Sequence, residues 1–334
     1  MDSKNKLTAV QYGVGPIGQR IVRNAVSKGI HFIGGVDIDP SKVGERLDDI
    51  CETKIDGEAK ITDDASSLLP TSPDVVFHST VSSVEKAESQ LLEALEAGSN
   101  VITTCEELSH PWQTHPGPAE RIDKVARENG VACVATGINP GFVMDVLPAL
   151  LSTPFGHLKS VSVTRIQNAS QRRIPLQQKV GAGLSPESFE EKVADGAGHV
   201  GSRESLEMVA DGLGWSLVDV TSTIEPVIAE APVENAYTEV DTGNVAGVRQ
   251  IIKGTTANGK EISLDLQMYA GANRPRDEIK LNGNQEIVVT VNNGYHGDHS
   301  TAAVVTNIVR EILRADSGLN TMLDITLPAY QEVY

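Results

Sequence analysis

The feature that most constrains this chain lies near its start. Gly13-Val14-Gly15-Pro16-Ile17-Gly18 follows a short apolar run, 7–12, and opens a segment, 17–27, that carries Ile17, Ile21, Val22 and Ala25 at helical spacing. A G-x-G-x-x-G turn between a strand and a helix is the fingerprint of a dinucleotide-binding βαβ unit; outside that context the pattern says little. Each glycine has its own reason: Gly13 permits the tight turn, Gly15 lets the backbone approach a pyrophosphate, and Gly18 lets the helix lie close to the strand. The helix start offers unpaired N–H groups and a partial positive charge to the phosphates, and Pro16 fits there because its missing N–H costs little. The competing reading is a glycine turn with no ligand.

The rest of the first 135 residues alternates in the same way. Strand-like runs at 31–36, 75–77, 101–104 and 131–135 are separated by helical patterns at 84–97, closed by Gly98, and 118–129, closed by Gly130. Alternating β and α elements predict a doubly wound parallel sheet with helices on both faces, a Rossmann domain over residues 1–140. After Gly137 the texture changes. Strand patterns at 159–167, 247–253, 262–269 and 287–292 arrive with few helices between them (186–194 and 202–213). This predicts an α+β domain over 141–334 built on a mostly antiparallel sheet, with the last helical stretch, 300–316, packing back on the first domain.

Bulk properties exclude several classes. A net charge of −17 and a pI of about 4.9 repel phosphate backbones, so nucleic acid is not an expected partner. No run of apolar residues reaches the roughly 18 needed to span a membrane, and the three cysteines are far apart, which suits a reducing, cytoplasmic location. His110, His115, His199, His296 and His299 match no zinc spacing, so no metal is expected.

In an open parallel sheet the ligand lies beyond the C-terminal strand ends. Asp37, at the end of the second strand, suits the adenine ribose hydroxyls and favours NAD, whereas Ser41 and Lys42 close by can hold the 2′-phosphate of NADP. His78-Ser79-Thr80 end the next strand and suit packing beside the nicotinamide ribose. The following strand ends in Thr103-Thr104-Cys105-Glu106-Glu107, and the last in Thr136-Gly137-Ile138-Asn139-Pro140-Gly141. Adjacent acids can simply begin a solvated helix. Beside a nicotinamide, a carboxylate can instead hold ammonium and move protons during imine formation. Only one of the pair readily points inward; Glu107 is the preferred catalytic group, because Glu106 more easily caps the helix. Trp112 and Trp215 are core or pocket walls. Arg172-Arg173 can clamp a substrate carboxylate or sit in an interface.

Several segments together resemble the 2,4-diaminopentanoate dehydrogenases and related NAD(P)-dependent amine dehydrogenases: Gly13 to Gly18, Cys105-Glu106-Glu107-Leu108-Ser109-His110-Pro111-Trp112, Gly137-Ile138-Asn139-Pro140-Gly141-Phe142-Val143-Met144-Asp145, Gly198-His199-Val200-Gly201-Ser202-Arg203-Glu204-Ser205 and Gly297-Asp298-His299-Ser300-Thr301-Ala302-Ala303. The stretch from Asn168 to Gly183 looks more like the amine dehydrogenases acting on simple ketones and aldehydes. The N-terminal domain resembles that of dihydrodipicolinate reductase, whose basic catalytic segment is absent here. Homoserine dehydrogenases look distantly similar and carry a lysine at the strand end, aligned roughly with Glu107.

The resemblance implies a homodimer that reversibly aminates a small ketone or aldehyde with ammonia. The resemblance agrees with the coenzyme, NAD or NADP with NAD favoured, that the residue pattern places on Gly13, Gly15, Pro16, Ile17, Gly18, Asp37, Ser79, Thr80 and Asn139. It also implies a catalytic carboxylate from Glu107 or Glu106, and a substrate pocket that includes Thr104, Phe142 and Arg172. The alternatives are a diaminopentanoate dehydrogenase proper, a homoserine-type alcohol or semialdehyde dehydrogenase, and a non-catalytic NAD sensor.

Overall fold

The computed structural model describes residues 6–171, 174–194, 198–234 and 239–334. The chain divides into two compact units, one formed by Met1–Phe142 with Gly297–Tyr334, the other by Val143–His296.

The first unit runs β1 (Thr8–Tyr12), α1 (Pro16–Ser27), β2 (His31–Val36), α2 (Leu47–Cys51), β3 (Lys60–Thr62), β4 (Val75–His78), α3 (Val84–Glu96), β5 (Asn100–Thr103), α4 (Pro116–Glu128) and β6 (Ala132–Ala135). A short 3-10 turn, Glu106–Leu108, follows β5. The second unit holds α5 (Val146–Leu151), β7 (Leu158–Asn168), α6 (Ile174–Lys179), α7 (Pro186–Ala194), α8 (Ser202–Gly212), β8 (Leu217–Ile228), β9 (Val233–Glu234), β10 (Glu239–Val240), β11 (Val245–Thr256), β12 (Glu261–Tyr269), β13 (Arg276–Gly283) and β14 (Glu286–Asn292). The chain then returns to the first unit with α9 (Gly297–Asn307), α10 (Val309–Ile312) and β15 (Gly318–Asn320).

The first unit's sheet has the order β15-β6-β5-β4-β1-β2-β3, with every pairing parallel. This is the Rossmann arrangement, and the strand order reverses between β1 and β4. All four residues of β4 and of β6 are buried, as strands covered by helices on both faces must be. The sequence pattern stopped short at the C-terminus. Beyond the helical stretch, β15 adds a seventh strand beside β6, and Tyr334 N–H bonds the Lys28 carbonyl at the end of α1 (2.9 Å). The first unit therefore takes the chain from Gly297 onward, further than the one helix assigned to it from sequence. α2 and β3 were also not evident, being only five and three residues long.

The second unit's main sheet has the order β14-β13-β7-β12-β11-β8; only β7 and β12 run parallel. It is thus mostly antiparallel. β12 alternates buried and half-buried positions, the pattern of a strand with one covered face. β8 and β13 escaped the sequence reading because their polar residues (Asp219, Thr221, Ser222 and Thr223; Asp277, Glu278, Lys280 and Asn282) dilute the apolar alternation. No helix among the described residues is long and apolar enough to cross a membrane.

Candidate active site

The turn between β1 and α1 is shaped by the absence of side chains. Gly13 has φ +88°, and a Cβ there would lie 2.6 Å from the Ser79 carbonyl oxygen. A Cβ on Gly18 would collide with the Gly13 carbonyl oxygen. Gly15 is different: nothing lies within 4 Å of where its Cβ would stand. The space above Gly15 is thus open at the start of a 12-residue helix whose N-cap makes no side-chain hydrogen bond and whose first residue is Pro16. Ile17 follows in the first turn. An anion can reach the N–H groups there directly.

Three polar side chains hold this turn in place. Asp37 accepts from Val14 N–H through Oδ2 (2.8 Å) and from Asp39 N–H through Oδ1 (2.9 Å). Gln11, fully buried, donates to the Gly13 carbonyl (3.0 Å) and to Ser79 Oγ (2.9 Å), and Ser79 Oγ donates to the same carbonyl (3.0 Å). The Ser79 hydroxyl therefore braces the glycine turn. Ser41 and Lys42, the candidates for a 2′-phosphate, face carboxylates: Ser41 Oγ donates to Asp39 (2.7 Å), and Lys42 pairs with Asp37 (3.2 Å) and Asp39 (3.3 Å). Ile38, between the two acids, is 86% exposed.

The parallel register aligns Tyr12, His78, Thr103 and Ala135 in one row across four strands, so the loops after them emerge side by side. Within that row His78 is buried. Its Nδ1 lies 2.8 Å from Thr103 Oγ1 and its Nε2 2.9 Å from Gln90 Oε1 and from Thr80 Oγ1. Thr80 also donates to Gln90 Oε1 (2.8 Å). Burial pushes the His78 imidazole down to about 4, so it is neutral at neutral pH. The Tyr12 ring lies 5.6 Å from the His78 ring, and its phenol is pushed up to about 12 by burial and by Glu93. Sequence reasoning marked His78 and Thr103 only as strand-end residues, without a role, and missed Gln11 and Gln90. The signal that was available was a glutamine inside an apolar strand and a histidine ending a fully buried one.

The acid pair forms the 3-10 turn after β5, and Thr104 N–H bonds the His78 carbonyl (2.9 Å). Glu107 is anchored. Its Oε2 accepts from Val84 N–H (2.8 Å), capping a helix whose own N-cap residue, Ser83, makes no side-chain bond. A carboxylate at that end is favoured by the helix dipole. His115 Nε2 lies 3.5 Å from the same oxygen, and Glu107 N–H bonds the Ser82 carbonyl (3.3 Å). The carboxylate that caps α3 is therefore Glu107. Both acids are half-buried.

After β6, Thr136 N–H bonds the Thr103 carbonyl (2.9 Å), and Ile138 N–H bonds Thr301 Oγ1 on α9 (3.2 Å). The loop so held carries Asn139, joined to Pro140 by a cis peptide bond, and the half-buried Phe142. Arg172 lies outside the described residues, as does Arg173. Among the described residues no group of three His, Cys, Asp or Glu is placed to hold a metal ion. The histidines are dispersed: His115 sits by Glu107, His299 lies 3.4 Å from Arg20, and His110 is buried.

Residues 142–332 match the 2,4-diaminopentanoate dehydrogenase C-terminal domain family. The chain is 29% identical over 332 residues to the 2,4-diaminopentanoate dehydrogenase of Acetoanaerobium sticklandii, covering 97% of this chain and 94% of that one. Its fold is similar to that of an amine dehydrogenase from Mycobacterium smegmatis (TM-score 0.87, 21% identity, 99% of each chain). It is less similar to the WlbA dehydrogenase from Bordetella pertussis, solved with NADH and UDP-GlcNAcA (TM-score 0.56, 15% identity, 96% of this chain and 93% of that one). With the match extending over more than half of its length, the chain belongs to the 2,4-diaminopentanoate dehydrogenase C-terminal domain family.

Proposed function

We propose that the protein is an NAD(P)-dependent amine dehydrogenase that reversibly converts a small amine to a ketone or aldehyde and ammonia. The observation that carries this reading is the acidic turn after β5, on the same sheet edge as an open glycine turn. Family membership and the relatives named above support the same chemistry.

The glycine turn fits a pyrophosphate, because Gly15 leaves clear space at a helix N-terminus. When bound, the nicotinamide supplies or takes up hydride. The chain's own residues do the rest. Gly13 to Gly18 bind the diphosphate. Asp37 faces the adenine ribose, and Ile38 offers an exposed apolar surface for the adenine ring. Two carboxylates, Asp37 and Asp39, share one ammonium, Lys42, and this excess of negative charge favours NAD over NADP.

Glu107 caps α3 through one carboxylate oxygen, and the reacting role is assigned here to Glu106, with Glu107 as the alternative. In the aminating direction its carboxylate holds the ammonium, accepts a proton as the amine attacks the carbonyl, returns one as water leaves the carbinolamine, and stabilises the cationic iminium. Asn139, Thr104 and Phe142 remain proposed lining residues. The three buried free cysteines suit a reducing cytoplasm, and the homodimer implied by the resemblance is checked by sedimentation.

The test is a panel of small ketones and aldehydes with NADH or NADPH, with and without ammonium. Carbonyl-dependent coenzyme oxidation that requires ammonium is expected. Equal rates without ammonium would assign the protein to alcohol or semialdehyde chemistry instead.

A further inference from the structure

Deepening that reading, and resting on it for the identity of the acid, we propose that Thr103, His78 and Gln90 form a positioning relay between the acid-bearing turn after β5 and the coenzyme turn after β1. The hydrogen bonds run in one continuous line. Cys105 N–H, the residue before Glu106, donates to Thr103 Oγ1 (3.0 Å). Thr103 Oγ1 meets His78 Nδ1 (2.8 Å), and His78 Nε2 meets both Gln90 Oε1 (2.9 Å) and Thr80 Oγ1 (2.9 Å). Thr80 then abuts the glycine turn: its methyl lies 2.9 Å from where a Gly13 Cβ would be, so only glycine leaves room for it.

The donors and acceptors are consistent along the line. Gln90 Oε1 only accepts, which puts the imidazole proton on Nε2. Nδ1 is then an acceptor, and Thr103 donates its hydroxyl proton to it while accepting from Cys105. The line is buried at its centre and works with a neutral imidazole, the form that burial imposes on His78. No member needs to touch substrate; each fixes the orientation of the next. A shift of the acid turn is thereby transmitted to Thr80 and the glycine turn, and the reverse. A linked network of this kind is the physical means by which two loops on one sheet edge keep a common geometry.

The discriminating variants lie at opposite ends. Thr103→Val removes the hydroxyl at the acid end but keeps the shape; Gln90→Leu removes the acceptor at the coenzyme end. Coenzyme affinity is read by NADH fluorescence titration, and kcat and KM for the amine are read separately. The relay predicts crossed effects. Thr103→Val weakens NADH binding roughly fivefold as well as lowering kcat, and Gln90→Leu lowers kcat roughly fivefold as well as weakening NADH, the scale of one lost buried hydrogen bond. Thr103→Ser, which retains the hydroxyl, restores both. A purely local role moves melting temperature and the near-end parameter only. The proposal is overturned if Thr103→Val leaves NADH affinity unchanged, if Gln90→Leu leaves kcat unchanged, or if Thr103→Ser is as impaired as Thr103→Val. The NADH titration needs no turnover. If no amine proves to be a substrate, Thr103→Val and Thr103→Ser still decide the relay, separately from the fate of the amine reading.

Discussion

The two turns of the candidate site are built in opposite ways. The turn after β1 owes its shape first to missing side chains: Gly13 and Gly18 stand where any Cβ would strike backbone, and Gly15 faces open space, with Gln11, Asp37 and Ser79 bracing the turn from below. The turn after β5 owes its shape to side chains that are present: Glu107 on the α3 N-terminus, Cys105 Sγ on the Ser82 carbonyl (3.1 Å), and Thr103 beneath Cys105 N–H. At Gly13 and Gly18 backbone sterics tolerate no substitution, whereas a hydrogen-bonded turn degrades by degrees. The first kind of turn fails as a unit, and the second fails bond by bond.

The sharpest way to break this contrast lies in the glycine turn itself. Gly18→Ala forces a methyl against the Gly13 carbonyl and is expected to cost about 3 kcal/mol or more of stability, read by denaturant unfolding. Gly15→Ala meets nothing and should unfold within about 1 kcal/mol of the parent, yet bind NADH roughly tenfold more weakly. If both glycines behaved alike, the distinction between steric necessity and ligand access would be lost.

The second turn has an acid limit. His78 resists protonation in the folded protein, with its pKa near 4 against 6.5 for the free side chain. As pH falls below about 6.5 the unfolded chain takes up a proton there that the native chain refuses, so stability declines towards pH 4 and is recovered above 6.5. The whole excursion is worth about 3 kcal/mol. Comparing unfolding free energies at pH 7 and pH 4.5 for the parent and His78→Gln should show a shallower acid loss in the variant. An unchanged slope would remove His78 from the account.

Next in size is the division of labour between the acids. Glu106→Gln is expected to lower kcat about a hundredfold with the fold intact, the scale of lost acid–base catalysis. Glu107→Gln weakens a charged helix cap and should cost about 1 kcal/mol of stability with a smaller loss of rate. The opposite ranking would restore Glu107 as the reacting acid. Smallest is Asp37→Asn: removing one charge beside Lys42 should narrow any preference for NADH over NADPH by about fivefold, read as the ratio of the two kcat/KM values.

Much of this was legible in the order of residues. The glycine turn, the parallel sheet and the change to a second, mostly antiparallel sheet follow from local periodicity and from the few residues that particular backbone conformations accept. The strand ends were marked as the place to look, because in an open parallel sheet the ligand crevice lies beyond the C-terminal ends of the strands. Short or polar elements were not legible: β3 and β15 carry too few residues for a period, and β8 and β13 carry too many polar ones.

What the amino-acid sequence determined by itself was everything set by short-range sterics and pattern: where the chain must turn, which runs are strands, and which loop carries two adjacent acids. What only the tertiary structure decided was the assignment of partners. Glu106 and Glu107 are chemically identical and adjacent, and nothing local distinguishes them. It is Glu107 that accepts from Val84 N–H, 23 residues away along the chain, a partner that only the packing of α3 against the turn supplies. The same is true of His78, whose neutrality comes from burial beneath neighbouring strands and whose partners, Gln90 and Thr103, lie on separate elements. Hydrogen bonds between residues distant in sequence depend on packing, and packing is a property of the whole fold.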